Sequence, residues 1–360
     1  MTRIHGLDLA RALAIIGMMI AHIGPTNVIT RGHPSVLFAV LAGVSMGIIA
    51  SRAATLHDVR VTLLVRGILL VVIGVVVDAL QAGILVVLIA IGASYLLLAP
   101  VVHWSTRSLA VLLGGLLVLG PLLLGAQERW QVDWHSEAFT DLFFGSYPLS
   151  AWLLYTLVGL LVHRLTLDTG ATAWRELWLL SLGLLLLALS LIVVEATGIG
   201  PREELSFRAA ALTAEPHTGG LLDMIGSTGV ALAVIAACLL LCRVPAAVVL
   251  SYPLRALGSM SFTVYVTHVI ITTIVKGSFV SLPVEEVPEV ADPGWEMYVP
   301  GVGYVSPPPM EVYSDPFWPQ LFVWQLIGFL VAASLWRLRF RRGPVEWGVS
   351  RALQGALERR

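Results

Sequence analysis

The chain has almost no lysine: of its 22 basic residues only Lys276 is not arginine. Charge of either sign is scarce. Asp, Glu, Lys and Arg make up 12% of the 360 residues, against about 25% in soluble domains. With 57% hydrophobic residues and a mean hydropathy of +0.86, an ordinary water-soluble globule is excluded. A net charge of −1 offers no bulk attraction for nucleic acid, so none is expected as a partner. Cysteine is nearly missing. Cys238 and Cys242 lie four apart in an apolar run with no other ligand-type residue around them, which reads as core packing, not a disulfide or metal site. No HExxH, Walker or Rossmann pattern stands out.

What the sequence has in abundance is long apolar runs. A helix needs about 20 mostly apolar residues to cross a bilayer, and about ten such stretches follow one another, from "ARALAIIGMMIAHI" to "PQLFVWQLIGFLVAASLW". The expected fold is an all-α polytopic membrane protein of about ten transmembrane helices. The first run carries its charges internally, and no small-x-small cleavage site follows it, so it is expected to stay as a span. With the N-terminus placed in the cytoplasm, sixteen arginines fall on that side and five basic residues fall outside. This bias obeys the positive-inside rule and puts both termini in the cytoplasm.

The expected division is a helical membrane domain over 1–343, with an extracytoplasmic loop at 277–316, and a basic cytoplasmic tail over 344–360. That loop is rich in Pro, acids and aromatics. As a lid over an outward-facing site it would offer Trp295, Tyr298 and Tyr304 for stacking on a sugar.

The first span, "GLDLARALAIIGMMIAHIGP", keeps Asp8, Arg11 and His22, which lipid penalises. Asp8 and His22 are fourteen residues apart, about 21 Å and nearly four turns, so they share a face, with Arg11 one turn above Asp8. A neutral imidazole is a natural general base. His33, just before the second span, lies at the same edge of the membrane and offers another, and the two converge if the short loop folds back. In "LGSMSFTVYVTHVI", Ser261, Tyr265 and His268 are spaced to share a helical face. "GVSMG" matches a nucleophile elbow, but it lies inside an apolar helix, where Gly43 and Gly47 read as a packing face and Ser45 as no nucleophile.

"HGLDLARALAIIGMMIAH" resembles the opening of the transmembrane acyltransferase superfamily, which includes the acyltransferase-three family and heparan-α-glucosaminide N-acetyltransferase-like proteins. Arg11 and His22 are separated by ten residues, as in the arginine–histidine motif of the former. In the heparan type the active histidine lies after span one, a position similar to His33. "GSYPLSAWLLYTLVGLLVHRL", the late span and the tail "RFRRGPVEWGVSRAL" resemble the YeiB-type bacterial membrane family. The resemblance implies an enzyme of a bacterial plasma membrane. It would pass an acetyl or other acyl group from cytoplasmic acyl-CoA to an extracytoplasmic glycan or lipid, with no metal. Asp8 and Arg11 would then hold the donor. His22, His33 and His268 would be catalytic, and Tyr265 and Ser261 would contact substrate. Gly-rich spans permit a homodimer. The competing reading is a transporter or flippase, in which polar residues line a path and no covalent chemistry occurs.

Overall fold

Lipid offers the backbone no hydrogen bonds, so a chain crossing it must satisfy its own, and the apolar runs fold as helices. The computed structural model describes residues 4–25, 30, 32–80, 84–130, 136–168, 170, 172–199, 206–279, 297–299, 303–305 and 317–358. The first three long helices are α1 (His5–Ile23), α2 (His33–Arg52) and α3 (Leu56–Asp78). A short helix, α4 (Leu88–Leu98), is followed by α5 (Thr106–Trp130), the small α6 (Glu137–Phe144) and α7 (Leu149–Val162). A π-helical turn, His163–Leu167, extends α7. Then come α8 (Ala173–Thr197), α9 (Phe207–Leu212), α10 (Leu221–Leu241) and α11 (Pro245–Leu250). The last part holds α12 (Tyr252–Gly258), α13 (Ser261–Phe279), α14 (Phe317–Arg339) and α15 (Pro344–Glu358).

Eight helices among the described residues are long and apolar enough to cross a membrane. Helices α12 and α13 meet at 79° and make a ninth if the bent pair counts as one span. The fourth expected stretch, 84–102, yields only the 11 residues of α4. Pro100, two residues past its end, cannot continue the helix, so the segment turns there. The chain is an all-α polytopic membrane protein.

Helices α1, α2, α7 and α10 form the interior, and α3, α5, α8 and α14 surround them. The outer helices expose apolar side chains such as Val76, Val111, Ile192 and Trp324, which suits lipid and not water. Small residues let the inner helices touch. A Cβ on Gly43 of α2 would lie 1.9 Å from the Thr156 carbonyl of α7, and one on Gly159 would lie 1.9 Å from the Val40 carbonyl. Gly47 faces the His163 ring. The Gly43–Gly47 face is therefore a packing face. Helices α1 and α12 meet as closely, since a Cβ on Gly258 would lie 1.8 Å from the Asp8 carbonyl. Cys238 and Cys242 are free, the first buried.

His5 at the start of α1 contacts Arg255 of α12 (2.8 Å), and α15 docks at the start of α13, so both described chain ends lie at one end of the bundle. The expected tail over 344–360 is not a loose extension: most of it is α15, packed on α3 and α13. Within the expected loop 277–316, α13 continues to Phe279. Strands β1 (Met297–Val299) and β2 (Gly303–Val305) pair antiparallel there, with Tyr298 opposite Tyr304. Trp295 lies outside the described residues.

Candidate active site

The lower part of α1 carries the charged pair. Asp8 is almost fully buried, and its Oδ1 accepts from Arg11 at 3.2 Å. The second guanidinium nitrogen donates to Ser45 Oγ at 3.0 Å, and that hydroxyl donates to the Leu41 carbonyl at 2.9 Å. Arg11 is thus braced from both sides while its side chain keeps 23% exposure. Ser45 braces the arginine, and its hydroxyl proton goes to the α2 backbone.

Eleven residues further along α1, about 16 Å by helical rise, His22 meets α13. Its Nδ1 lies 3.1 Å from His268 Nε2, with the two rings within 5° of parallel. His268 Nδ1 lies 2.7 Å from Gln325 Oε1 on α14, and Gln325 Nε2 donates to Thr272 Oγ1 at 3.2 Å. His268, Thr272 and Gln325 are all buried. The placement of the Gln325 amide sets the direction of these bonds, since the Thr272 hydroxyl can accept or donate. With its amide nitrogen on Thr272, Gln325 presents oxygen to His268, so His268 Nδ1 carries the proton. In the neutral ring His268 Nε2 then accepts, and His22 Nδ1 donates. His22 is left with Nε2 as its basic nitrogen, the form a general base needs.

His33 belongs to a different relay. It opens α2 after Gly32, whose backbone at φ +84° suits only glycine comfortably. Its Nδ1 lies 3.1 Å from Ser227 Oγ of α10, and Ser227 donates to Asp223 Oδ1 at 2.9 Å. Asp223 Oδ2 accepts the Gly219 N–H at 3.2 Å. With its one proton on Asp223, the Ser227 hydroxyl accepts from His33 Nδ1–H. This relay too leaves Nε2 as the basic atom. Ser227→Ala or Asp223→Asn removes that direction. Each is expected to lower any activity resting on His33 by about 10-fold or more, the scale at which a positioned proton acceptor acts. Initial rates compared with His33→Ala check it: variants without effect on a reaction that His33→Ala abolishes would sink the relay.

Beside His33 stands His217, stacked on Trp152 (6.0 Å, 13°) with Tyr147 edge-on at 5.2 Å. Burial, and then the charge of a protonated His33, push His217 down to about 4. The fold keeps it neutral, while the unfolded chain takes up the proton near 6.5. Between those values the unfolded state binds more protons, so stability falls as pH drops from 6.5 towards 4 and levels off below. His217→Asn, which tolerates the residue's φ of +69°, should flatten that slope in thermal unfolding followed against pH.

His22 and His33 have different hydrogen-bond partners, His22 on His268 of α13 and His33 on Ser227 of α10. Ser261, Tyr265 and His268 are all buried along α13 as their spacing implies. Only His268 of the three is in the relay with Gln325. Tyr265 stacks on Phe38 (6.4 Å, 12°), and its phenol helps, after burial, to raise that of Tyr147. Ser261 is at the start of α13, about 10 Å of helical rise from His268. Among the described residues no three His, Cys, Asp or Glu gather as a metal site. Sequence reading passed over Thr272, Gln325, Ser227 and Asp223, and weighed Ser45 only as a nucleophile. Asp223 and Gln325 carried the signal that singled out Asp8, an unexplained polar group in an apolar span.

A family model described as an acyltransferase domain matches residues 4–302. No curated protein matches the chain. The matched segment includes Asp8, Arg11, His22, His33 and His268, and it ends before Gln325.

Proposed function

The chain belongs to this membrane acyltransferase family, and we propose that it carries an acyl group from cytoplasmic acyl-CoA, acetyl-CoA foremost, to an extracytoplasmic glycan or lipid. One observation carries the reading: a single buried helix holds a braced arginine near one end and a hydrogen-bonded imidazole near the other. The donor's phosphates suit Arg11, whose planar guanidinium recognises them as a fork. Asp8 and Ser45 fix its direction. The acyl thioester is then presented to His22. His22 Nε2 takes the proton of the acceptor O–H or N–H as that atom attacks the thioester carbonyl. The C–S bond breaks, the new C–O or C–N bond forms, and the imidazolium returns its proton to the departing thiolate. His268 and Gln325 hold the ring while it is charged. We assign His33, with Ser227 and Asp223, to the acceptor side, where it orients or deprotonates the incoming group. Tyr265 and Ser261 are the proposed substrate contacts on α13. The arginine bias supports cytoplasmic termini, the tail motif supports kinship with the YeiB-type bacterial membrane family, and the opening span with the position of His33 supports kinship with the heparan-type proteins.

The test uses the purified protein in lipid nanodiscs with acetyl-labelled acetyl-CoA, following CoA binding, thiol release and label on the protein. Binding and thiol release that require Arg11 and His22 are expected. Label on the protein would mean that a histidine carries the acyl group before it moves on. If no acyl-CoA binds or turns over, the donor assignment fails and ligand transport without bond making becomes the better account.

A further inference from the structure

The first turn of a helix leaves N–H groups without intrahelical partners and carries the positive end of the helix dipole. In α13 that turn comes directly after the 79° bend, and it sets the direction of the helix that bears His268. Its partner comes from the far end of the sequence. Glu346, in the first turn of α15, accepts the N–H groups of Phe262 (2.8 Å) and Thr263 (3.2 Å) on Oε1. Its Oε2 accepts the Thr263 hydroxyl at 2.5 Å, and the Val345 N–H donates back to that hydroxyl at 3.1 Å. Gly343 allows the approach, since a Cβ there would lie 2.6 Å from Thr263 Oγ1 and 2.7 Å from Met260 Cβ. The Trp336 indole donates to the Arg342 carbonyl at 2.9 Å and fixes the turn from α14 into α15.

We propose that Glu346 is a positioning residue for the imidazole relay, clamping α13 at the bend so that His268 Nε2 stays on His22 Nδ1. The consequence for catalysis rests on the acyltransferase reading; the consequence for the relay does not. His268 lies about 8 Å along α13 from the clamp. A tilt of about 10° there moves its ring by more than about 1 Å, and a misplacement of that size costs about 10²-fold in rate. The clamp also joins the two ends of the relay mechanically. The segment from α14, which supplies Gln325, to α15, which supplies Glu346, grips α13 at two points along its length.

The full chain in nanodiscs, labelled with 15N-histidine, tests this. Magnetic-resonance spectra of the wild type should show the hydrogen-bonded imidazole pair of His22 and His268. Glu346→Ala should lose the coupling between those rings. It should also lower kcat by about 10²-fold, with KM for the acyl donor changed by less than about two-fold. Glu346→Gln keeps an acceptor oxygen and should restore most of the coupling. If Glu346→Ala does not fold, Thr263→Val, which removes only the bridging hydroxyl, should weaken the same signal. Coupling unchanged in the folded variants overturns the proposal. Coupling lost in Glu346→Ala, in a protein whose wild type turns over no acyl-CoA, upholds the clamp and overturns the donor assignment instead.

Discussion

His22→Ala is expected to lower thiol release from acetyl-CoA by about 10²–10⁴-fold, the range a positioned general base supplies. Binding of CoA itself should hardly change, because the phosphates are assigned to Arg11, about 16 Å away along α1. The relay sharpens this. His268→Ala leaves His22 its imidazole but removes the acceptor that fixes its Nδ1 proton, so a smaller loss is expected than for His22→Ala. Gln325→Leu acts one step further out, through His268, and should cost less again. The order matters more than any one value, because a base supported by two outer groups gives a graded series. Initial rates of thiol release for the three variants, with CoA affinity measured in parallel, check it. Full activity in His22→Ala together with its loss in His33→Ala would transfer the base to the relay on α10.

Gly258→Ala should be among the most damaging single methyl additions at the described glycines. Its Cβ would sit 1.8 Å from the Asp8 carbonyl, and the obstacle is backbone, which cannot rotate away. Helices α1 and α12 must separate. Overpacking of this kind costs about 1–3 kcal/mol, and it falls on the segment that braces Arg11. The expected result is lower thermal stability together with CoA affinity weakened by about 10-fold or more. Gly114→Ala makes the comparison fair. That glycine, also helical, has nothing within 4 Å of its would-be Cβ, so the change should be neutral or stabilise by up to about 1 kcal/mol. Equal stability for both variants would refute the close crossing.

Much of the fold was legible because lipid leaves a chain few options. Apolar runs of sufficient length become helices, and a Gly43–Gly47 repeat marks where two of them touch. The exceptions have local causes. Pro100 cuts the expected fourth span down to α4, and the late span proves to be the second arm of a bend at Ser259–Met260. The site was legible only residue by residue. Asp8, Arg11, His22 and His268 stand out as costly groups in lipid, but nothing local says that His22 and His268, 246 positions apart, share a hydrogen bond. Nor does spacing distinguish His33 paired with His22 from His33 paired with Ser227 of α10. Those pairings depend on which helices become neighbours, and periodicity within one span carries no information about that. The sixteen-residue "GVSMGIIASRAATLHD" stretch shows the same limit from the other side. Ser45 looked like a stray motif until its hydroxyl was found on Arg11.

The relay ends on Gln325, outside the 4–302 segment that the family model matches. This bears on how such proteins can be recombined. A chimera that grafts residues 4–302 of this chain onto another member's C-terminal helices would inherit the first-span motif and every histidine, but not the tail motif. It would still borrow from its host the oxygen that decides where the His268 proton resides, and the carboxylate that seats α13. A leucine at the host's equivalent of Gln325 would leave the graft with all its histidines but without the oxygen that faces His268 Nδ1. The heritable unit of this chemistry is therefore the intact bundle with its final helices, and the boundary drawn by sequence likeness falls short of it.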